Sequence, residues 1–129
     1  MVAKDEHAIA LQGLYNQLKP VIDFSEQAIY LYLDDVHKIC NANFASLLGY
    51  ESPEEWANIE TSFPDTFADE GSQNVLVSTY QDAMQKSIGS TVDIAWKNKS
   101  GDVVNTSVIL VPISYQGKVF ALHFISAKE

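Results

Sequence analysis

The sequence predicts an α+β domain in which a helix precedes two strands, a group of short helices and three further strands. Three observations predict this class. Apolar residues recur at helical spacing within residues 4–18, and a second helical pattern spans residues 72–88. Residues 91–125 contain three segments that alternate between the two sides of a strand, joined by turn-forming residues, which favours antiparallel pairing.

The composition is that of one globular domain of 129 residues, with 47% hydrophobic and 19% charged residues. All 8 basic residues are lysines and 17 residues are acidic, so the formal charge of −9 opposes binding to nucleic acid or to an anionic membrane. No apolar run approaches the length of a membrane-spanning helix, and the polar start at residues 1–6 does not resemble a signal peptide. The single cysteine, Cys40, favours a reducing, cytoplasmic setting and is expected to be a small buried apolar residue.

The N-terminal helix is predicted over residues 4–18, with Pro20 marking its end. A helix this short is marginal by itself in water, so its apolar face must pack on the domain or on a second copy of the chain. That face comprises His7, Leu11, Leu14, Tyr15 and Leu18.

The first strand is predicted over residues 28–33, where aromatic and branched side chains precede two aspartates. A short second strand is expected near residues 38–41. Parity places Ile29, Leu31 and Leu33 on one face of the first strand and Tyr30 and Tyr32 on the other.

Helix-capping residues organise the middle of the chain. Asn41 can cap a helix that ends before Gly49, and Ser52 begins a capping box with proline at the first helical position. Residues 63–67 form a turn or a short helix. A longer helix is predicted from Ser72 to Ile88, with Gly89 ending it and with a buried stripe of Leu76, Tyr80, Ala83 and Met84.

Three strands are predicted at residues 91–97, 103–113 and 119–125, connected through turns at 97–102 and 114–118. In the first two of these strands, one face carries Val92, Ile94, Trp96, Val104, Thr106, Val108 and Leu110.

Several motifs in order resemble the PAS family. Residues 41–50, Asn-Ala-Asn-Phe-Ala-Ser-Leu-Leu-Gly-Tyr, are similar to its strand-to-helix pattern, and residues 63–65, Phe-Pro-Asp, resemble its His-Pro-x-Asp region. Residues 99–102 followed by 108–112 look like its hairpin, and the closing Ile125-Ser126 resembles its final strand signature. Phe124 stands at the aspartate position of that signature, and the turn after Asp34 lacks the usual glycine.

The resemblance implies a five-stranded antiparallel sheet with short helices on one face enclosing a pocket. It divides the chain into a flanking helix and connector at 1–25, a PAS-like domain at 26–126 and a tail at 127–129. It also implies which face looks inward, and the inner set is then Ile29, Leu31, Leu33, Ile94, Trp96, Thr106, Val108, Leu110, Phe120 and Leu122. Tyr30, Tyr32, Ala121 and His123 then lie outside.

Neither of the family's common cofactors is expected. The predicted long helix holds no histidine for an axial haem ligand, Cys40 does not lie on a helix facing a flavin, and the last strand has no glutamine. An unidentified small ligand remains compatible with the sequence. The spacing of His7, His37 and His123 predicts no metal site.

The sequence shows no nucleophile with an adjacent base and no phosphate-binding loop, so no enzyme is predicted. The leading interpretation is a non-catalytic sensory or protein-interaction module in signal transduction. We expect a homodimer through the N-terminal helix and the outer face of the sheet, with a kinase or regulator domain in cis or in trans as a further partner. Ligand-pocket candidates are Leu31, Leu33, Tyr80, Met84, Trp96, Thr106 and Leu122, and interface candidates are Leu11, Leu14, Tyr15, Leu18, Tyr30, Tyr32 and His123.

Two alternatives are kept. A purely structural dimerisation domain would have a packed interior, without a void larger than a water molecule. A small cone-shaped enzyme would need an acid–base pair inside the cavity, and Asp93 is expected to point outward instead.

Overall fold

The computed structural model describes residues 5–128, so the predictions for residues 1–4 and Glu129 lie outside the described residues. Helices and strands follow the predicted order. They are α1 (Glu6–Phe24), β1 (Ala28–Asp34), β2 (His37–Cys40), α2 (Ala42–Leu47), α3 (Pro53–Ala57), α4 (Phe63–Phe67), α5 (Glu70–Lys86), β3 (Ser90–Lys97), β4 (Val103–Tyr115) and β5 (Lys118–Ala127).

The strands form one antiparallel sheet in the order β2-β1-β5-β4-β3. Strand β5 therefore lies at the centre, between β1 of the N-terminal hairpin and β4. The β1–β5 register pairs Tyr30 with His123, and the β4–β5 register pairs Leu110 with His123. Residues from both ends of the chain thus meet side by side in the middle of the sheet.

Both faces of the sheet are covered. On the inner face, α2 to α5 pack over Tyr30, Ile94, Trp96 and Val108 with a group of aromatic rings that includes Phe44. On the outer face, α1 packs over the central strands through a second cluster, made of Ala10, Leu11, Leu14, Ile22, Ile29, Leu31, Phe120 and Leu122. The five-stranded sheet with an N-terminal flanking helix confirms the predicted fold class.

Helix α1 does not end at Pro20, which corrects the prediction from the sequence. A proline inside a helix removes one backbone hydrogen bond and favours a bend, but packing can outweigh that cost. Here Ile22 is fully buried beyond the proline, and its carbonyl accepts a hydrogen bond from Asn41 Nδ2 at 2.9 Å. Tertiary contacts therefore hold the last turn of α1 in place.

The predicted helix starts in the middle of the chain are confirmed. The Asn41 side chain caps α2 by accepting from Phe44 N, and Ser52 caps α3 by accepting from Glu55 N. The long helix differs from prediction because it begins at Glu70 and ends at a left-handed Ser87 rather than at Gly89. The last turn is also shorter than predicted, since only Gln116 and Gly117 separate β4 from β5.

The inward and outward faces of β1 and β5 are the reverse of those expected. Ile29, Leu31 and Phe120 pack under α1 with Leu33 and Leu122, whereas Tyr30 belongs to the cluster beneath the short helices. In both strands the two alternating sets are apolar or aromatic, because both faces of the central sheet are buried. Parity therefore separates the sets but does not say which one faces inward. In β3 and β4 the expected face is the inner one.

Candidate functional site

A small cavity lies between the inner face of the sheet and helices α4 and α5. Its volume is about 40 Å³, and a single water molecule needs roughly 10–15 Å³ on the same scale. The cavity, which is partly open to solvent, therefore has room for more than one water-sized group. The lining residues are Tyr30, Tyr32, Phe63, Pro64, Leu76, Val77, Tyr80 and His123.

The floor of the cavity is an aromatic pair on neighbouring strands. Tyr30 and His123 stack in parallel, with ring centroids 3.9 Å apart and an interplanar angle of 9°. Both side chains are buried. Burial lowers the pKa of His123 to about 3, so its ring is neutral near pH 7. Its Nδ1 donates to the Ala121 carbonyl at 3.2 Å, which leaves Nε2 as an acceptor.

The hydroxyl of Tyr30 is buried, and it has no hydrogen-bond partner within residues 5–128. Burial raises the pKa of Tyr30 well above its usual value, so the hydroxyl keeps its proton. An unpaired buried hydroxyl costs about 1–3 kcal/mol relative to a paired one. Tyr30 therefore combines contact with the cavity and one unused hydrogen-bonding group.

Hydrogen bonds hold the other two tyrosines of the cavity. Tyr80 Oη donates to the Leu33 carbonyl at 2.9 Å, and Tyr32 Oη donates to Asp35 Oδ1 at 2.8 Å. The same Asp35 oxygen accepts from Phe63 N at 3.0 Å, so it fixes the start of α4 beside the cavity. These bonds give the walls a defined shape, while the partly exposed Pro64 and Val77 stand at the rim.

The pocket candidates from the sequence divide into four groups. Tyr80 lines the cavity. Trp96 and Thr106 lie on the inner face but bond to each other, with Trp96 Nε1 donating to Thr106 Oγ1 at 2.8 Å. Met84 packs beside Leu110 and Ala121. The placement of Leu31, Leu33 and Leu122 in the pocket is wrong, because they lie under α1 on the opposite face.

The interface candidates need a matching correction. Tyr30, Tyr32 and His123 line the cavity instead of lying on an outer surface. Leu11 and Leu14 are 7% and 3% exposed, because they pack on the chain's own sheet. They are therefore not available to a second copy in this arrangement. Tyr15 and Leu18 lie at the edge of the same cluster, and Cys40 is buried as expected.

A signal that could have located His123 is the turn between β4 and β5. Gln116 and Gly117 both have positive φ, at 51° and 77°, which is the pattern of a two-residue hairpin turn. Such a turn pairs Tyr115 with Lys118, and counting back along both strands places Leu110 opposite His123. Leu110 was assigned to the inner face, so the same register assigns His123 to it. The five-residue turn expected from the sequence hid this parity.

A second cluster of functional side chains lies where α1 meets the β1–β2 turn. His37 contacts two carboxylates, with Nδ1 2.7 Å from Asp34 Oδ1 and Nε2 2.7 Å from Asp5 Oδ2. His7 Nδ1 lies 3.3 Å from the other oxygen of Asp34. The structure thus brings together two of the three histidines, which are 30 residues apart along the chain.

The charges of this cluster support one another. Burial lowers the pKa of His37, but hydrogen bonds to Asp5 and Asp34 raise it more, so the net shift is upward. Burial raises the pKa of Asp34, but the hydrogen bond and charge of His37, together with hydrogen bonds from the Val36 amide and His7, lower it more, so the net shift is downward. The sequence did not reveal this cluster, since only the docking of α1 on the sheet brings its members together.

No helix within residues 5–128 is both long and apolar enough to cross a membrane. No family model and no curated protein matches the sequence. By contrast, 155 solved chains match the structure. Against a PAS domain from Colwellia psychrerythraea, the identity is 21% and the TM-score 0.68, covering 89% of this chain and 97% of the other.

Two further solved structures give the same result. A PAS domain from a two-component sensor histidine kinase has 13% identity and a TM-score of 0.66, covering 91% of this chain and 98% of the other. A PAS domain of a LuxR-family transcriptional regulator from Burkholderia thailandensis, solved with ethanol, has 14% identity and a TM-score of 0.63. That match covers 84% of this chain and 95% of the other. At these identities the comparisons establish the fold, and this chain has the PAS fold.

Proposed function

We propose that this chain is a non-catalytic sensory module that binds a small neutral molecule in the cavity lined by Tyr30, Tyr80 and His123. The observation that carries the proposal is a cavity of about 40 Å³ whose lining includes Tyr30, a residue with a buried, unpaired hydroxyl. A ligand with one hydroxyl or carbonyl group would satisfy that hydroxyl and fill the space above it.

The cavity volume limits the size of the ligand. A space of about 40 Å³ has room for a few non-hydrogen atoms, whereas pockets that hold drug-sized ligands have volumes of roughly 300–1,000 Å³. This supports the expectation from the sequence that haem and flavin are not the ligand. A PAS domain solved with ethanol, from Burkholderia thailandensis, is consistent with a ligand of this size.

The electrostatics of the lining favour an uncharged ligand. Burial keeps His123 neutral and raises the pKa values of Tyr30, Tyr32 and Tyr80. The remaining lining residues are apolar. A buried ion would therefore lack a counter-charge in the lining and would lose its hydration without compensation. Short alcohols, diols and small ketones have the required size and polarity.

The cavity is connected to the outer face of the sheet through two strands. Tyr30 and His123 project inward from β1 and β5, and the alternate residues Leu31 and Leu122 pack under α1. A ligand that binds one arrangement of these strands better than another would shift the packing of α1. We propose α1 as the output element toward a second copy, or toward a kinase or regulator domain. A cytoplasmic location remains a prediction.

The main alternative is a structural dimerisation domain without a ligand. The outer face of β4 supports it, since the large apolar side chains of Ile109 and Val111 are exposed there. A cone-shaped enzyme is disfavoured, because Asp93 is exposed and its carboxylate lies 2.7 Å from Lys128 Nζ rather than in the cavity.

The test uses short alcohols, diols and ketones as probes, followed by thermal unfolding and by ¹H–¹⁵N NMR spectra. We expect at least one probe to raise the Tm and to shift the amide signals of residues 30, 80 and 123. Tyr30→Phe should abolish both effects, and Tyr50→Phe is the matched control because Tyr50 lies away from the cavity lining.

Absence of any shift with every probe, in a protein whose sedimentation shows a stable dimer, would overturn the ligand proposal and support the structural alternative. If Tyr30→Phe and the wild type bind the probes equally well, binding at Tyr30 is refuted, because the hydroxyl then makes no contribution. Retention of an endogenous small molecule in native mass spectra would support a ligand and identify its mass.

A further inference from the structure

We propose that His7, Asp34 and His37 form a binding site for a divalent transition-metal ion of the zinc type, which would fasten the start of α1 to the β1–β2 turn. The proposal goes beyond the sensory function of the cavity and does not depend on it. No residue is shared between the two sites.

The donor set is the first observation. Two imidazoles and one carboxylate can each offer one ligand atom, and these atoms lie within 4.8 Å of one another. Imidazole nitrogen together with carboxylate oxygen suits Zn²⁺ and other transition metals better than Mg²⁺ or Ca²⁺, which prefer oxygen ligands alone. Three protein ligands leave one position of a tetrahedral ion open to solvent.

The separations of the ligand atoms lie on both sides of the value that a metal requires. At bond lengths of about 2.0–2.1 Å, the ligand atoms of a tetrahedral zinc site lie about 3.3 Å apart. His7 Nδ1 and Asp34 Oδ2 already lie 3.3 Å apart. His37 Nδ1 lies 2.7 Å from the other oxygen of the same carboxylate, Asp34 Oδ1. One ligand atom from each residue lies within 4.8 Å of the other two, so the widest pair would have to approach by up to about 1.5 Å around an ion. The His7 and His37 rings are 5.3 Å apart and nearly perpendicular, so they can approach one ion from different directions.

Asp5 supplies an outer contact that metal-binding histidines commonly have. When His37 binds a metal through Nδ1, its Nε2–H can keep donating to Asp5 Oδ2, at the present distance of 2.7 Å. A carboxylate in this position fixes the ring orientation and strengthens the bond to the metal. Asp5 also caps α1 by accepting from the His7 and Ala8 amides. The same residue therefore connects the start of the helix to the site.

The consequence would be mechanical. His7 belongs to α1 and Asp34 and His37 belong to the β1–β2 hairpin, so a bound ion joins the flanking helix to the sheet. His7 is half exposed and His37 is largely covered, which gives an ion access from solvent on one side.

Zinc chloride titrated into the full chain, followed by calorimetry, tests the site. We expect one ion per chain. His7→Gln and His37→Gln should each weaken binding by at least about tenfold, and Asp5→Asn by about 10–100-fold. Asp102→Asn is the control, because Asp102 is an exposed carboxylate in the β3–β4 turn. It should leave the Kd within about twofold. His7 is exposed, so its variant should fold normally.

Two further readouts separate this site from incidental zinc binding. Cobalt(II) should give the visible absorption of a four-coordinate ion in wild-type protein and lose it in His7→Gln. Zinc should also slow hydrogen exchange of the first amides of α1 that are hydrogen-bonded within the helix. Equal zinc affinity of the wild type and both histidine variants, no binding at millimolar zinc, or unchanged exchange in α1 would overturn the proposal. None of these results bears on the cavity.

Discussion

A buried neutral histidine makes the stability of this protein fall as the solution becomes acidic. Burial holds the pKa of His123 at about 3, whereas a histidine in the unfolded chain has its ordinary value of 6.5. Between these values the unfolded chain binds a proton that the folded chain does not. Acidification therefore favours unfolding, and the stability that is present above about pH 6.5 is lost progressively toward pH 3.

The size of the effect follows from the two pKa values. Each pH unit in this window costs about 1.4 kcal/mol for one proton. Lowering the pH from about 7.5 to about 4.5 should reduce the free energy of unfolding by about 2.7 kcal/mol through His123 alone. This is a large share of the roughly 5–15 kcal/mol that stabilises a typical domain.

The measurement is urea unfolding of wild-type protein and His123→Phe at several pH values, followed by tryptophan fluorescence. Phenylalanine keeps an aromatic ring beside Tyr30 but does not titrate. Asp5, Asp34 and His37 titrate in both proteins, so their contributions cancel in the difference between the two pH profiles. The wild type should lose about 2.7 kcal/mol more than the variant between about pH 7.5 and about 4.5.

The reasoning would be refuted if the wild type and the variant lost stability almost equally over that range, with a difference of less than about 0.5 kcal/mol. That result would mean that His123 is accessible to solvent or to a proton in the folded state. If the phenylalanine variant does not fold, His123→Gln gives the same comparison, because it also removes the titrating group.

Two further predictions concern single side chains of the core. Trp96→Ala should lower the free energy of unfolding by about 3–5 kcal/mol, because the indole is fully buried and also donates a hydrogen bond to Thr106. Val103→Ala, at a half-exposed position, is the control. A loss below about 1 kcal/mol in Trp96→Ala would contradict the placement of Trp96 on the inner face. Asn41→Ala should cost about 2–4 kcal/mol in urea unfolding, because its side chain accepts from Ile29 N and Phe44 N and donates to Ile22 O and Gln27 O. Asn43→Ala, which removes one exposed bond to Ser25 O, should cost less than about 1 kcal/mol, and equal losses in the two variants would show that the buried junction at Asn41 is not stabilising.

The helices show which boundaries can be predicted from the local sequence and which cannot. Asn41 and Ser52 could be predicted as caps because a cap needs only a short polar side chain and the next few amides. The predicted end of α1 was wrong because the residues that hold the helix beyond Pro20 belong to β1 and to Asn41, the cap of α2. A local rule describes the cost of the proline, but not the distant contacts that offset it.

The candidate sites show the same division. Alternation along β1 and β5 correctly separated Tyr30 and His123 from Leu31 and Leu122, yet it assigned the two sets to the wrong sides. Both sets of side chains could be buried, so their apolar character did not decide which set faces the short helices. In the structure, aromatic residues such as Phe44 cover the tyrosines, and the leucines of α1 cover the aliphatic set.

Spacing along the chain is sufficient to define strands, caps and the order of elements, because those features depend on neighbours a few residues away. The antiparallel sheet with short helices and a flanking helix follows from them. Docking of α1 and the pairing of β1 with β5 join residues that are far apart in sequence, and only these contacts create the cavity at Tyr30 and the cluster at His37. These long-range contacts also decide which polar groups are buried, because the surroundings of a hydroxyl or an imidazole come from every element packed against it.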